Sequence, residues 1–147
     1  MTPFNVTAKL FLPDMKHNTK EEVLQHMCEI AADAVSNAPE RFLRLVSERE
    51  RVIPSGWENG LAVPHARVGG LPHPIVVIAK SEAGIDFNAR DGKLSRLIIL
   101  ILTGDNQSQH DLLGNAEEMF SRKEAIDQVL EAATFLELVA ALNAPVK

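Results

Sequence analysis

Apolar residues change rhythm along this chain, and the rhythm predicts its elements. Ala8 to Leu12 reads as a short extended stretch, ended by Pro13-Asp14. Thr19-Lys20-Glu21-Glu22 has capping-box spacing, and behind it Val23, Leu24, Met27, Ile30, Ala31, Ala34 and Val35 recur at helical intervals. Asn37-Ala38-Pro39 ends that helix and opens a second, with Phe42, Leu43 and Val46 inward and arginines outward. Ile53-Pro54-Ser55-Gly56 and Glu58-Asn59-Gly60 are turn chemistry, and a short strand ending at His65 comes after them. Gly69-Gly70-Leu71-Pro72-His73-Pro74 is a loop, and Ile75 to Ala79 a β-branched strand. Gly84 to Gly92 reads as a hairpin connection around Ile85 and Phe87. Leu97 to Leu102 shows no polar alternation, which predicts a central strand covered on both faces and closed by Gly104-Asp105-Asn106. Three helices complete the pattern, at about Gln107–Phe120, Arg122–Ala132 and Phe135–Asn143. The last two open with Ser121…Glu124 and Thr134…Glu137, again at capping-box spacing.

Two helices, then strands with one fully buried, then helices make an α/β fold: a mixed β-sheet sandwiched between helices. No repeat, low-complexity tract or linker divides residues 1–147, so a single domain is expected. Apolar residues are 46% of the chain but aromatics only 5%, which favours an aliphatic core of helices on a sheet over an aromatic-rich β-sandwich.

The formal charge of −5, with Lys and Arg scattered, argues against nucleic acid as a partner, although Arg41, Arg44, Arg49 and Arg51 come close together. The single cysteine, Cys28, excludes an intramolecular disulfide, fits a reducing compartment and reads as a core packer. No apolar run approaches the ~18–20 residues of a membrane helix. Met1-Thr2-Pro3-Phe4 lacks the basic start and apolar stretch of a secretion signal. The expectation is a cytoplasmic chain with no direct membrane insertion.

The candidate chemistry concentrates in Gly60-Leu61-Ala62-Val63-Pro64-His65-Ala66-Arg67. Proline fixes its own φ, holds the preceding residue extended and donates no ladder hydrogen bond, so the strand stops with an imidazole at its rim. A histidine nitrogen presented from a rigid strand end is a nucleophile and an acceptable phosphoryl carrier.

Gly-Leu-Ala-Val-Pro-His resembles the active-site segment of the enzyme IIA domains of the bacterial phosphoenolpyruvate sugar phosphotransferase system, of the fructose–mannitol type that includes the nitrogen-regulatory branch. Arg49-Glu50 lies where similar domains carry an Arg-Glu pair at the end of the second helix. Ser55 stands where many relatives have threonine, and His110 where mannitol-type relatives have a second histidine. Ala66-Arg67 departs from the glycine that many relatives place directly after the histidine.

The resemblance implies a phosphohistidine carrier. His65 would accept a phosphoryl group from a histidine phosphocarrier protein and pass it to an enzyme IIB. In the alternative, a nitrogen-type regulatory module, the phosphorylation state would control a target protein. Either is a component of a phosphoryl-transfer chain rather than an enzyme with a free small-molecule product.

The chemistry supports the same residues. Phosphoryl transfer asks the protein to position the nucleophile and balance charge on the equatorial oxygens. Neutral His65 has the free lone pair, and a nearby guanidinium disfavours its protonation. Once the phosphoryl group is attached, that cation attracts the new dianion, and two unit charges ~4 Å apart near a surface interact by about 4 kcal/mol before solvation costs. Arg49 is the matched cation. His110 would bond the phosphoryl group or orient the imidazole. Ser55 is a candidate donor that also suits plain turn chemistry. Arg67, on the same side of the strand as His65, would assist the phosphate or meet a partner's acidic rim.

His17, His26 and His73 have no assigned role. Trp57 reads either as a partner anchor or as a ring tucked onto the core. Leu61, Val63, Trp57 and the arginines would form the partner face. No nucleotide, other cofactor or metal is implied, because donor and acceptor are proteins and His65, His73, His110 and Asp111 match no zinc spacing. A nucleophile elbow and a P-loop are both missing from the sequence.

Overall fold

The all-apolar run lies at the centre of the sheet. In the computed structural model, which describes residues 7–144, it forms β5 (Ser95–Thr103). A 3₁₀ turn over Ala8–Leu10 leads into β1 (Phe11–Leu12), then come α1 (Lys20–Ala34), α2 (Pro39–Val52), β2 (Leu61–Ala62), β3 (His65–Arg67) and β4 (Ile75–Ile85). Beyond β5 lie α3 (Gln109–Met119), α4 (Lys123–Leu130) and α5 (Phe135–Asn143). Within the described residues β4 and β5 pair antiparallel, β1 runs parallel to β4, and β2 and β3 both run parallel to β5. The sheet is mixed and carries helices on both faces, as expected from the order of elements.

Strand alternation divides β5 between two cores. Ile98, Leu100 and Leu102 join Val23, Met27, Ala31, Phe42 and Val46 of α1 and α2. Leu97, Ile99 and Ile101 join Ala116, Ile126, Val129 and Leu138 of α3, α4 and α5. Neither face meets water, which is why no polar residue interrupts the run.

Cys28 is fully buried in the first core, and burial pushes its thiol up to about 12. A thiol so protonated and enclosed does not react in the native protein. Ellman's reagent is expected to give no colour with the folded chain and one equivalent of thiol in denaturant. Rapid titration of the native chain would show the cysteine to be exposed.

Several boundaries differ from those the sequence predicts. The segment Ala8 to Leu12 is half 3₁₀ turn and only half strand. Thr19 and Thr134 cap α1 and α5 through their hydroxyls, which accept the N–H groups of Glu22 and Glu137. Ser121 does not cap α4: its hydroxyl donates back to Glu118 O, and Arg122 is the N-cap residue. The last turn of α3 lies too near for that hydroxyl to serve the next helix. Gln107 stays outside α3 because its side chain accepts Gly104 N–H and donates to Leu71 O, while Ser108 caps the helix.

None of the helices is long and apolar enough to cross a membrane among the described residues. The expectation drawn from Met1–Phe4 falls outside those residues.

Candidate functional site

The strand does not end at His65; it breaks at Pro64 and restarts there. Leu61 and Ala62 pair with Leu97 and Ile98, and His65, Ala66 and Arg67 resume the pairing with Ile101, Leu102 and Thr103. Pro64 has no N–H for the ladder, so the regular pairing lapses between β2 and β3, although Pro64 O still accepts from Ile101 N–H at 2.9 Å. Ser55–Trp57 doubles back on Leu61–Val63: Trp57 N–H donates to Leu61 O at 2.7 Å and Val63 N–H to Ser55 O at 3.0 Å. Asn59 and Gly60, both at positive φ (64° and 79°), make the reversal, which suits residues that tolerate the left-handed region.

Two bonds set the imidazole. Its Nδ1 lies 2.9 Å from Val63 O, and its Nε2 accepts from Arg49 Nε at 3.3 Å. A carbonyl only accepts, so Nδ1 carries the proton and Nε2 keeps its lone pair. The ring is half-buried, with the exposed Arg49 on its open side. Burial is the largest influence and lowers its pKa below 6.5; the Val63 bond opposes it, the Arg49 guanidinium adds to it and the Glu50 carboxylate opposes it.

The neutral ring is therefore expected to persist below pH 6.5. Because the unfolded chain takes up that proton more readily than the folded one, His65's contribution to stability is complete above about 6.5. It declines as pH falls through the lower folded value. Imidazole NMR titration should place the midpoint under 6.5, and a midpoint at or above it contradicts the desolvated, Arg49-flanked ring.

No hydrogen bond joins the other sequence-predicted residues to the ring. Ser55 is buried and its hydroxyl has no hydrogen-bond partner among the described residues, while its N–H donates to Glu50 Oε2 at 2.9 Å. Arg67 does lie on the same strand face as His65, but its Nη1 donates to Gly104 O at 3.4 Å and Gln107 O at 3.3 Å. Those bonds tie β3 to the connection between β5 and α3. His110 is exposed in the first turn of α3, and no hydrogen bond joins it to His65. The imidazole is oriented by Val63 and Arg49 instead.

Leu61 and Val63 are buried, at 1% and 0% exposure, and cannot face a partner. The exposed apolar residues beside Arg49 are Val52 and Ile53, at 72% and 58%. Trp57 is half-buried and lines a cavity of about 490 Å³ with Ile53, Leu61, Arg90 and Phe120. Glu50, in the sequence no more than the neighbour of Arg49, is buried on the inner stripe of α2 with Phe42 and Val46. Its spacing of four from Val46 and eight from Phe42 is the signal that could have placed it there.

Comparison with known proteins shows the family and the fold. The family described as "Phosphoenolpyruvate-dependent sugar phosphotransferase system, EIIA 2" matches residues 5–144. A nitrogen regulatory protein of Pseudomonas aeruginosa is 28% identical over 127 residues, spanning 84% of this chain and 82% of that protein. The fructose-specific EIIABC component of Bacillus subtilis is 24% identical over 133 residues, 88% of this chain but only 21% of that longer protein. Among solved structures, the nitrogen regulatory protein IIA-Ntr of Neisseria meningitidis superposes with a TM-score of 0.86 at 22% identity, covering 93% of this chain and 95% of that one. Enzyme IIA mannitol of Escherichia coli, solved in complex with phosphorylated enzyme IIB mannitol, gives 0.81 at 20% identity and covers 94% and 96%.

Proposed function

From the premise that this chain belongs to the EIIA 2 family of the phosphoenolpyruvate-dependent sugar phosphotransferase system, we propose that it is a phosphoryl carrier whose acceptor is Nε2 of His65. The observation that carries this reading is the pair of bonds on the imidazole. Val63 O accepts the Nδ1–H, leaving a lone pair at Nε2 within hydrogen-bond reach of the Arg49 guanidinium.

The donor is a histidine phosphocarrier protein. The Nε2 lone pair attacks phosphorus, the donor's N–P bond breaks, and its electron pair returns to the donor nitrogen. Both ring nitrogens of His65 are then substituted, so the ring carries positive charge, which the Val63 carbonyl stabilises. Arg49 gives up its bond to Nε2 and turns its remaining N–H groups to the phosphoryl oxygens. The positively charged ring is a good leaving group for onward transfer to the thiolate of an enzyme IIB. The unpartnered Ser55 hydroxyl and exposed His110 are candidate further donors to the phosphoryl oxygens. Arg67 serves the fold at the β5–α3 connection. Val52 and Ile53, beside Arg49, offer the apolar centre of the partner face.

A second reading shares the acceptance step and differs in the fate of the phosphoryl group: the phosphorylation state controls a target protein instead of feeding sugar uptake. The likeness to nitrogen regulatory proteins in sequence and in fold favours it. The test offers the purified chain phosphoenolpyruvate, enzyme I and the carrier protein. An acid-labile adduct located on His65 supports acceptance, and its absence removes both readings. Adding candidate enzyme IIB proteins then separates transport from control.

A further inference from the structure

One buried carboxylate stands behind the site without reaching any reacting atom. Glu50 is 6% exposed. Its Oε2 accepts from Ser55 N–H at 2.9 Å and from Lys20 Nζ at 3.5 Å, and the same ammonium donates to Asn88 Oδ1 at 2.9 Å. An apolar residue at this point of the α2 stripe would bury without penalty. A carboxylate needs compensation for its lost hydration, and both hydrogen-bond partners supply it.

The bonds continue past Ser55. Ser55 O accepts from Val63 N–H at 3.0 Å, and Val63 O faces His65 Nδ1 at 2.9 Å. An unbroken series thus runs from the Lys20–Glu50 ion pair through the backbone of Ser55 and Val63 to the imidazole.

We propose that Glu50 is a positioning residue for His65: it pins the Ser55 turn to the end of α2 and thereby holds the Val63 carbonyl that keeps the ring proton on Nδ1. With the proton on Nε2 instead, the lone pair that should meet phosphorus is absent, and the ring presents an N–H to the open side. Lys20 brings α1 and the β4–β5 connection into the same support, because it holds Glu50 and Asn88 at once. The proposal rests on the reading that Nε2 is the acceptor.

Long-range ¹H–¹⁵N NMR on the full-length labelled chain, above the titration of His65, reads the tautomer without any donor protein. In the wild type the ring should be Nδ1-protonated. Glu50→Ala should populate the Nε2–H form and slow phosphoryl acceptance on the order of tenfold. Glu50→Asp keeps a charge near Lys20 but withdraws the oxygen from Ser55 by one methylene, and should do the same. Glu50→Gln retains an acceptor oxygen and should restore the wild-type tautomer and most of the rate, a rescue that general destabilisation would not produce. A wild-type ring protonated at Nε2 overturns the proposal. So do Ala and Asp variants with unchanged tautomer and rate. A tautomer that tracks Glu50 in a chain that takes no phosphoryl group on His65 upholds the positioning role and refutes the carrier reading.

Discussion

With His65 replaced by Gln, the chain acquires no acid-labile phosphoryl group from the phosphorylated carrier protein. The loss is complete, since a glutamine amide has no lone pair on nitrogen available to attack phosphorus. The substitution keeps an N–H able to approach Val63 O, and the ring it replaces is half-buried at the rim of the sheet. Thermal unfolding should therefore shift by only a few degrees, about 1 kcal/mol. Mass spectrometry of the intact chain after incubation with phosphoenolpyruvate, enzyme I and the carrier measures the first effect. Calorimetry measures the second. Phosphorylation persisting in His65→Gln places the acceptor elsewhere, with the exposed His110 as the next residue to change.

Arg49→Ala slows phosphoryl acceptance on the order of a hundredfold, in line with loss of one preorganised donor to developing charge. Two effects combine. The phosphoryl oxygens lose the cation nearest to Nε2, and the ring loses a neighbour that disfavours its protonation. The second effect has its own signature: the His65 midpoint moves upward in Arg49→Ala, so the pH at which acceptance declines moves upward with it. Arg49→Lys restores charge without the Nε donor that reaches the ring at 3.3 Å, and should recover only part of the rate. Stopped-flow transfer across pH 5 to 8 measures both. Unchanged transfer kinetics in Arg49→Ala would remove the guanidinium from the site.

These outcomes turn on features that the chain displays with very different clarity. The pairing of Arg49 with His65 is anticipated by a motif whose two halves stand sixteen residues apart. The identity of the free nitrogen is not anticipated, because it depends on where Val63 O points once Pro64 has broken the strand. Arg67 shows the converse. Alternation puts it on the same face as His65, yet a carbonyl pair forty and thirty-seven residues away claims its guanidinium. Leu61 and Val63 belong to the apolar motif of the site and so suggest a partner face, but the sheet buries them and leaves Val52 and Ile53 outside. The Ser121 box fails for a local reason: spacing alone does not tell which of two adjacent helix ends a hydroxyl will serve.

Taken alone, the chain of residues determined the two-sided central strand, the helix starts at Thr19 and Thr134, the core position of Cys28 and the His65–Arg49 pair. Each is written in short-range periodicity or in a motif of fixed spacing, where backbone geometry relates neighbours directly. Tertiary structure alone decided the tautomer of His65, the employment of Arg67, the inward carboxylate of Glu50 with its bond to Ser55, and which apolar residues remain on the surface. Those depend on sheet register and on the packing of α2 against β3, which bring together groups remote in the chain, and hydrogen-bond direction exists only after that packing is complete.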